Sequence, residues 1–282
     1  MTTGAIIFAQ NNKSVDYVKL AVFAARRIVN YLNIPVSIVT DASGWVVSGY
    51  PDHPFDQIIE IPTMPSTQKK RFRDGGLSAE LLDWKNLTRS QVYDLSPYDK
   101  TLVIDSDYVL NSDILKIALD SDYDFQIYKK SVDVAFDRDT SEFQRINQYS
   151  IPFYWATVFV FKKNSLTRAF FDLVTYIKAN WPYFKILYNI DSNVYRNDYA
   201  FSIAIHIMNG KSTGDFATEL PGAMTYITDR DLLIDIDNNK MKFLTEKKDF
   251  LGEYLVAKTN GIDVHVMNKM SLGRYIDGGT GV

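Results

Sequence analysis

The sequence predicts a single α/β domain built on a mostly parallel sheet flanked by helices. Three observations carry that expectation. A strand–helix–strand unit opens the chain, and a buried strand over residues 101–110 runs into two carboxylates one residue apart. The third is bulk: 282 residues, 46% hydrophobic and 23% charged, are enough for a sizeable core, with no internal repeat, low-complexity tract or clean linker.

Ala5, Ile6, Ile7, Phe8 and Ala9 make a short apolar strand, followed by a polar loop over 10–14. From 15 to 32, Val18, Val22, Ala25, Val29 and Leu32 recur at helical spacing, with Arg26 and Arg27 outside the stripe. Pro35 ends that helix, and 36–40 forms the next strand before Asp41. Such a unit implies a right-handed crossover and a parallel sheet. Residues 57–61 read as another strand. Residues 63–78 read as a polar loop that carries Lys69, Lys70, Arg71 and Arg73 and ends in Gly75-Gly76, and 79–93 as a helix containing Lys85 and Arg89.

Beyond the strand at 101–110, the pattern gives a helix at 114–119, a strand at 125–128 and an acidic, irregular stretch at 133–148. A strand over 152–162 and an amphipathic helix over 166–181 follow. Arg196-Asn197-Asp198 opens an apolar helix over 198–208. Late strands fall at 232–236 and 262–267, and Gly278-Gly279-Thr280-Gly281 reads as a frayed end.

Composition excludes several classes of function. With no Cys, disulfides, thiolate nucleophiles and cysteine-ligated zinc are ruled out. A net charge of −3 argues against coating nucleic acid by charge alone, though not against a local basic groove. Aromatics reach 14%, and such side chains build ligand walls as well as cores. No basic segment precedes the first apolar run, so no signal peptide is indicated. No run reaches the roughly 20 apolar residues of a membrane span. The expected location is cytoplasmic, that of the host if the protein is viral.

The chemistry concentrates in Asp105 and Asp107. An unpaired carboxylate deep in a core costs several kcal/mol or more, so both acids belong at the carboxyl end of their strand, where open α/β sheets bind ligands. Two hard oxygen donors there suit Mg²⁺ or Mn²⁺ carrying a diphosphate. The alternative is a pair of solvated turn acids, with Asn111-Ser112-Asp113 capping the next helix.

Taken in order, these pieces resemble the GT-A glycosyltransferases, most nearly glycosyltransferase family 8, the glycogenin and galactosyltransferase type. The block from Leu95-Ser96-Pro97-Tyr98-Asp99-Lys100 through Asp105-Ser106-Asp107 to Ile114 is the most specific match, and the matches together cover most of the chain. The resemblance implies a GT-A-like (Rossmann-type) domain, with 1–110 binding the nucleotide and 111–282 the sugar and acceptor. It makes Asp105, Asp107 and His265 the metal ligands. It places Lys269 on the donor phosphates, with Arg274 as a competitor because the spacing after His265 is short. Ala9, Gln10 and Asn11 would read the base and Tyr17 stack on it, unless Tyr17 is a core aromatic. Asp41 and Ser106 join the donor-binding set. Arg89 would support the acids and diphosphate, unless it is a solvated helix arginine. Asn197 and Asp198 would stand beside the anomeric carbon, unless Asp198 is only a first-turn acid favoured by the helix dipole. The family's Asn-Ala-Gly reads Trp155-Ala156-Thr157 here, a departure that bears on the sugar; Asp124 is a further sugar-contact candidate.

The function so implied is transfer of a sugar from a nucleotide-sugar donor, UDP-linked, to a hydroxyl acceptor with retention, using Mn²⁺ or Mg²⁺. Chains of this kind in bacteriophages suggest 5-hydroxymethylcytosine in DNA as an acceptor, gripped through Lys69, Lys70, Arg71 and Arg73. The other reading of that basic segment is a loop closing over the donor diphosphate. Two other classes stay open. A sugar nucleotidyltransferase would want a glycine-rich loop after the first strand, which 10–14 lacks. A non-catalytic nucleotide-sugar binding module would not need both acids.

Overall fold

The computed structural model describes residues 1–278, apart from 64, 67, 86, 87, 137, 139–142, 148, 149 and 193. The opening unit is β1 (Thr3–Ala9), α1 (Tyr17–Leu32) and β2 (Val36–Thr40). Asp16 caps α1 by accepting from the Lys19 amide at 3.0 Å, and Asn33 closes it in the left-handed region at φ 54. Then come α2 (Ser43–Gly49), β3 (Gln57–Glu60), β4 (Lys69–Asp74) and β5 (Ser78–Asp83). A 3₁₀ turn at Arg89–Gln91 and α3 (Val92–Leu95) lead to β6 (Lys100–Asp105), β7 (Tyr108–Val109), α4 (Lys116–Asp120), β8 (Phe125–Tyr128) and β9 (Ser131–Asp133). Next are β10 (Trp155–Lys162), α5 (Ser165–Ala179), α6 (Trp181–Leu187), α7 (Asn197–Met208), β11 (Thr218–Glu219) and β12 (Met224–Ile227). The chain closes with β13 (Leu232–Asp237), β14 (Lys240–Glu246), β15 (Tyr254–Asn260), β16 (Val264–Val266) and α8 (Lys269–Ile276).

Seven strands form the central sheet in the order β11-β8-β10-β6-β1-β2-β3. β6, β1, β2 and β3 run parallel, and β10 lies antiparallel between β6 and β8. The expected α/β class with a mostly parallel sheet is therefore what forms. Strand alternation feeds both faces: Leu102 and Ile104 of β6 join Val18, Ala25 and Ile28 of α1 on one side. Val103 joins Phe170, Phe171 and Phe201 of α5 and α7 on the other. A second sheet, β7-β16-β12-β9, sets β16 antiparallel to β7 with His265 opposite Tyr108. Among the described residues no helix is long and apolar enough to cross a membrane.

Two expectations fail between β3 and β6. The segment 63–78 is not a plain loop, and 79–93 is not one helix: β4 and β5 pair as an antiparallel hairpin. Gly75 turns the corner at φ 78, a conformation that costs glycine little. Phe72 and Leu82 bury against Val15 and Leu20, and that packing overrides the helical propensity of Ala79-Glu80-Leu81-Leu82. Later, β14 and β15 turn the expected strand at 232–236 into a meander. The helix expected over 166–181 ends at Ala179, and Trp181 begins α6. The strand expected from 152 starts at Trp155. Part of the acidic stretch 133–148 and Gly279, Thr280 and Gly281 lie outside the described residues.

The face behind the sheet is an aromatic stack. Phe201 is fully buried, with ring centroids 5.0 Å from Phe159 and 5.3 Å from Phe170. Because Phe201 pins α7, truncation should cost about 3–5 kcal/mol for Phe201→Ala, and under about 1.5 kcal/mol for Phe201→Leu. Urea denaturation of the two variants checks this, and equal losses would show that the stack does not carry the load.

Candidate functional site

β6 delivers Asp105, Ser106 and Asp107 to the carboxyl edge of the parallel strands. They open into a cleft shared with Gln10, Tyr17, Lys70, Trp84, Arg89, Trp155, Arg196, Asp198, His265 and Lys269. Pairing of β16 with β7 is what carries His265 there. Ligand atoms of Asp105, Asp107 and His265 lie within 4.8 Å of one another. Two carboxylate oxygens and one imidazole nitrogen so converged form a donor set that fits Mn²⁺ or Mg²⁺.

Each acid in the cleft has its own cation. Asp105 pairs with Arg89, which also donates to the Ala156 carbonyl. Asp107 accepts from Lys269 at 2.6 Å and faces His265 Nε2 at 3.2 Å. Burial pushes the Asp107 carboxyl up, but the Lys269 ammonium and His265 outweigh it and hold it well below the usual carboxylate range. Burial likewise works to lower Lys269, and Asp107 more than reverses that. For Arg89, burial wins and brings the guanidinium down to about 10, so it stays charged at neutral pH. Arg196 holds Asp198 at 2.9 Å, and the second Asp198 oxygen accepts from the Ala156 amide at 2.9 Å. Asp198 thus joins α7 to the start of β10, beyond what a first-turn acid would do. Asn197, buried at the same helix start, lines the cleft beside it.

Gln10, Tyr17 and Ser106 line the cleft. Burial raises the Tyr17 hydroxyl to about 12, keeping it neutral. Other candidates stand elsewhere. Ala9 is buried in β1. Asn11 is committed to α1: its Oδ1 accepts from the Val18 amide (3.1 Å) and its Nδ2 donates to Asp16 (3.0 Å). Asp41 reaches the cleft only through its ion pair with Lys85 at 2.9 Å. Arg274 is drawn away by a bidentate pairing with Asp74 (2.6 and 2.9 Å). Asp124, at the start of β8, is not among the lining residues.

No protein-family model matches the sequence, and no curated protein does. Among solved structures the chain is similar to the glycosyltransferase GlyE of Streptococcus pneumoniae TIGR4. The two are 12% identical with a TM-score of 0.43, covering 78% of this chain and 46% of GlyE. It is also similar to the galactosyltransferase LgtC in complex with donor and acceptor sugar analogues: 12% identity, TM-score 0.46, covering 77% of this chain and 72% of LgtC. The chain therefore spans less than half the length of GlyE.

Sequence reasoning missed Trp84 and Arg196 as cleft residues and misplaced Lys70 on a loop. For Lys70 and Trp84 the signal was a period of two: Lys70 and Phe72 on β4 oppose Leu82 and Glu80 on β5, so alternate residues share the inner face. Asp198 gives a sharp test. Asp198→Ala removes acceptors from Ala156 and Arg196 and should cost about 1–3 kcal/mol. Asp198→Asn keeps an acceptor for Ala156 and should cost less than about 1 kcal/mol. If Asp198 also holds the substrate in place, the Asn variant loses about a hundredfold in kcat all the same. Melting temperature and kcat measured together separate the two roles, and a normal kcat removes Asp198 from the chemistry.

Proposed function

We propose that this chain is a metal-dependent glycosyltransferase that moves a sugar from a nucleoside-diphosphate donor, UDP-linked, to a hydroxyl acceptor. The observation that carries the reading is the convergence of Asp105, Asp107 and His265 at the strand end, inside a cleft that also holds the Arg196–Asp198 pair. In it, 1–110 supplies most of the nucleotide contacts and 111–282 the sugar and acceptor contacts. Retention of anomeric configuration belongs to the same reading and rests on the motif resemblance.

A divalent ion held by Asp105, Asp107 and His265 would neutralise charge on the departing diphosphate. Lys269 and Arg89, now on the two acids, line the same cleft, and they would take up phosphate oxygens through charge-assisted hydrogen bonds. Tyr17 presents a neutral ring to the base beside Gln10. Arg196 fixes the Asp198 carboxylate, and Asn197 offers an amide next to it, so both can receive sugar hydroxyls in one pose. The chain's contribution is then charge stabilisation and positioning.

One observation bears on the acceptor. Lys69, Arg71 and Arg73 lie along the outer face of β4 and have no acid partner among the described residues. Such a row suits a phosphate backbone, which favours DNA carrying a hydroxylated base, 5-hydroxymethylcytosine in a bacteriophage genome, as the acceptor.

Asp105→Ala or Asp107→Ala should abolish Mn²⁺-dependent UDP binding, read by calorimetry with and without the ion. Unchanged metal dependence in either variant would sink the donor site. Arg71→Glu should weaken duplex binding and flatten its salt dependence by about one unit of slope while donor hydrolysis is spared. Duplex affinity equal to wild type would remove DNA from consideration.

A further inference from the structure

Counting charges in the cleft leaves one cation over. Arg89, Lys269, Arg196 and Lys85 are each held by an acid. Lys70 alone among the cleft-lining cations has no acid within ion-pair distance among the described residues. Its ammonium lies 4.9 Å over the Trp84 ring and 5.9 Å over Phe72, which fixes its direction without using its donors. Its strongest charged neighbours are Lys269, on the Asp107 side, and Arg196, on the Asp198 side. Asp229 and Asp107 act on it more weakly, and Lys70 lines the same cleft as Asp105, Asp107, His265 and the Arg196–Asp198 pair. Protein around the ammonium, then these two cations, push its pKa down to about 8 even though much of the side chain meets solvent. A like-charged neighbourhood with all three N–H donors free is where an anion gains most.

We infer that Lys70 is the contact for the terminal phosphate of the nucleoside-diphosphate leaving group, supplied from a fixed wall of the cleft. This rests on the donor reading given above. The hairpin that carries Lys70 is tied down on several sides. Asp74 is gripped by Arg274 and by Asn268 at 3.2 Å, the Gly76 amide donates to the Tyr254 hydroxyl at 2.8 Å, and Ser14 donates to Glu80 at 2.8 Å. Phe72 and Leu82 are buried beneath it. Lys70 thus meets the phosphate that bears the growing charge without a closing movement. As the bond from the anomeric carbon to the phosphate oxygen breaks, the electron pair stays on that oxygen, and Lys70 stabilises the charge, which an ion held by Asp105, Asp107 and His265 would share.

The test compares diphosphate with monophosphate. In saturating Mn²⁺, Lys70→Gln should weaken UDP binding about tenfold or more and UMP binding less than twofold, because only the terminal phosphate loses its partner. Lys70→Arg should recover UDP affinity to within about threefold. Lys242→Gln, on an exposed site of β14, controls for bulk charge and should leave both affinities as they were. Equal losses for UDP and UMP, or no loss for UDP at an unchanged melting temperature, would overturn the assignment. Wild-type protein that bound neither UDP nor GDP with Mn²⁺ would instead sink the donor reading itself.

Discussion

Carboxylates gathered at the end of a buried strand must be matched by cations, and most of the site's architecture follows from that requirement. A buried acid without a partner is strongly destabilising, and a paired one is tolerated only with good geometry. Asp105 draws in Arg89 from the turn before α3, Asp107 draws in Lys269 from α8, and Asp198 draws in its neighbour Arg196. Each pair ties a different part of the chain to one edge of the sheet. On the donor reading proposed above, an ion on Asp105 and Asp107 would release Arg89 and Lys269 toward phosphate, while Arg196 stays on Asp198.

The antiparallel β10 serves the same edge. Its reversed direction brings its first residues, Trp155 and Ala156, to the carboxyl end of β6, where a parallel neighbour would have placed its last. Ala156 then bridges the two ends of the cleft, its carbonyl taking Arg89 and its amide giving to Asp198. Trp155 packs its ring against Tyr226 at 5.5 Å and edge-on to His265 at 6.2 Å. The bulky ring thus occupies the floor of the cleft beside Asp107 and His265, and Asn197, Asp198 and Arg196 line the cleft with it.

What the sequence makes legible here is whatever depends on local pattern. The βαβ start, the strand ending in Asp105 and Asp107, and the helix opened by Asn197 and Asp198 all announce themselves by periodicity and flanking residues. His265 was placed by motif order, and it does sit against Asp107. The hairpin at Lys69–Asp83 was not legible, because its few apolar residues, Phe72 and Leu82, gain their burial from Val15 and Leu20 far away in sequence. Once that pairing is missed, Lys70 and Trp84 lose their direction, and the cleft loses a wall. The side chains of Asn11 and Arg274 are each claimed elsewhere, by the start of α1 for the amide and by Asp74, 200 residues away, for the guanidinium.

The late strand β16 has a consequence for how the protein is made. It supplies His265 by pairing with β7, residues translated more than a hundred positions earlier, and α8 follows at once with Lys269. On a ribosome adding about 5–20 residues per second, the parallel half of the sheet can form while Asp107 still waits for both of its partners. Until β16 and α8 emerge, Asp107 has neither imidazole nor ammonium beside it, so the cleft is completed only when the last part of the chain folds on.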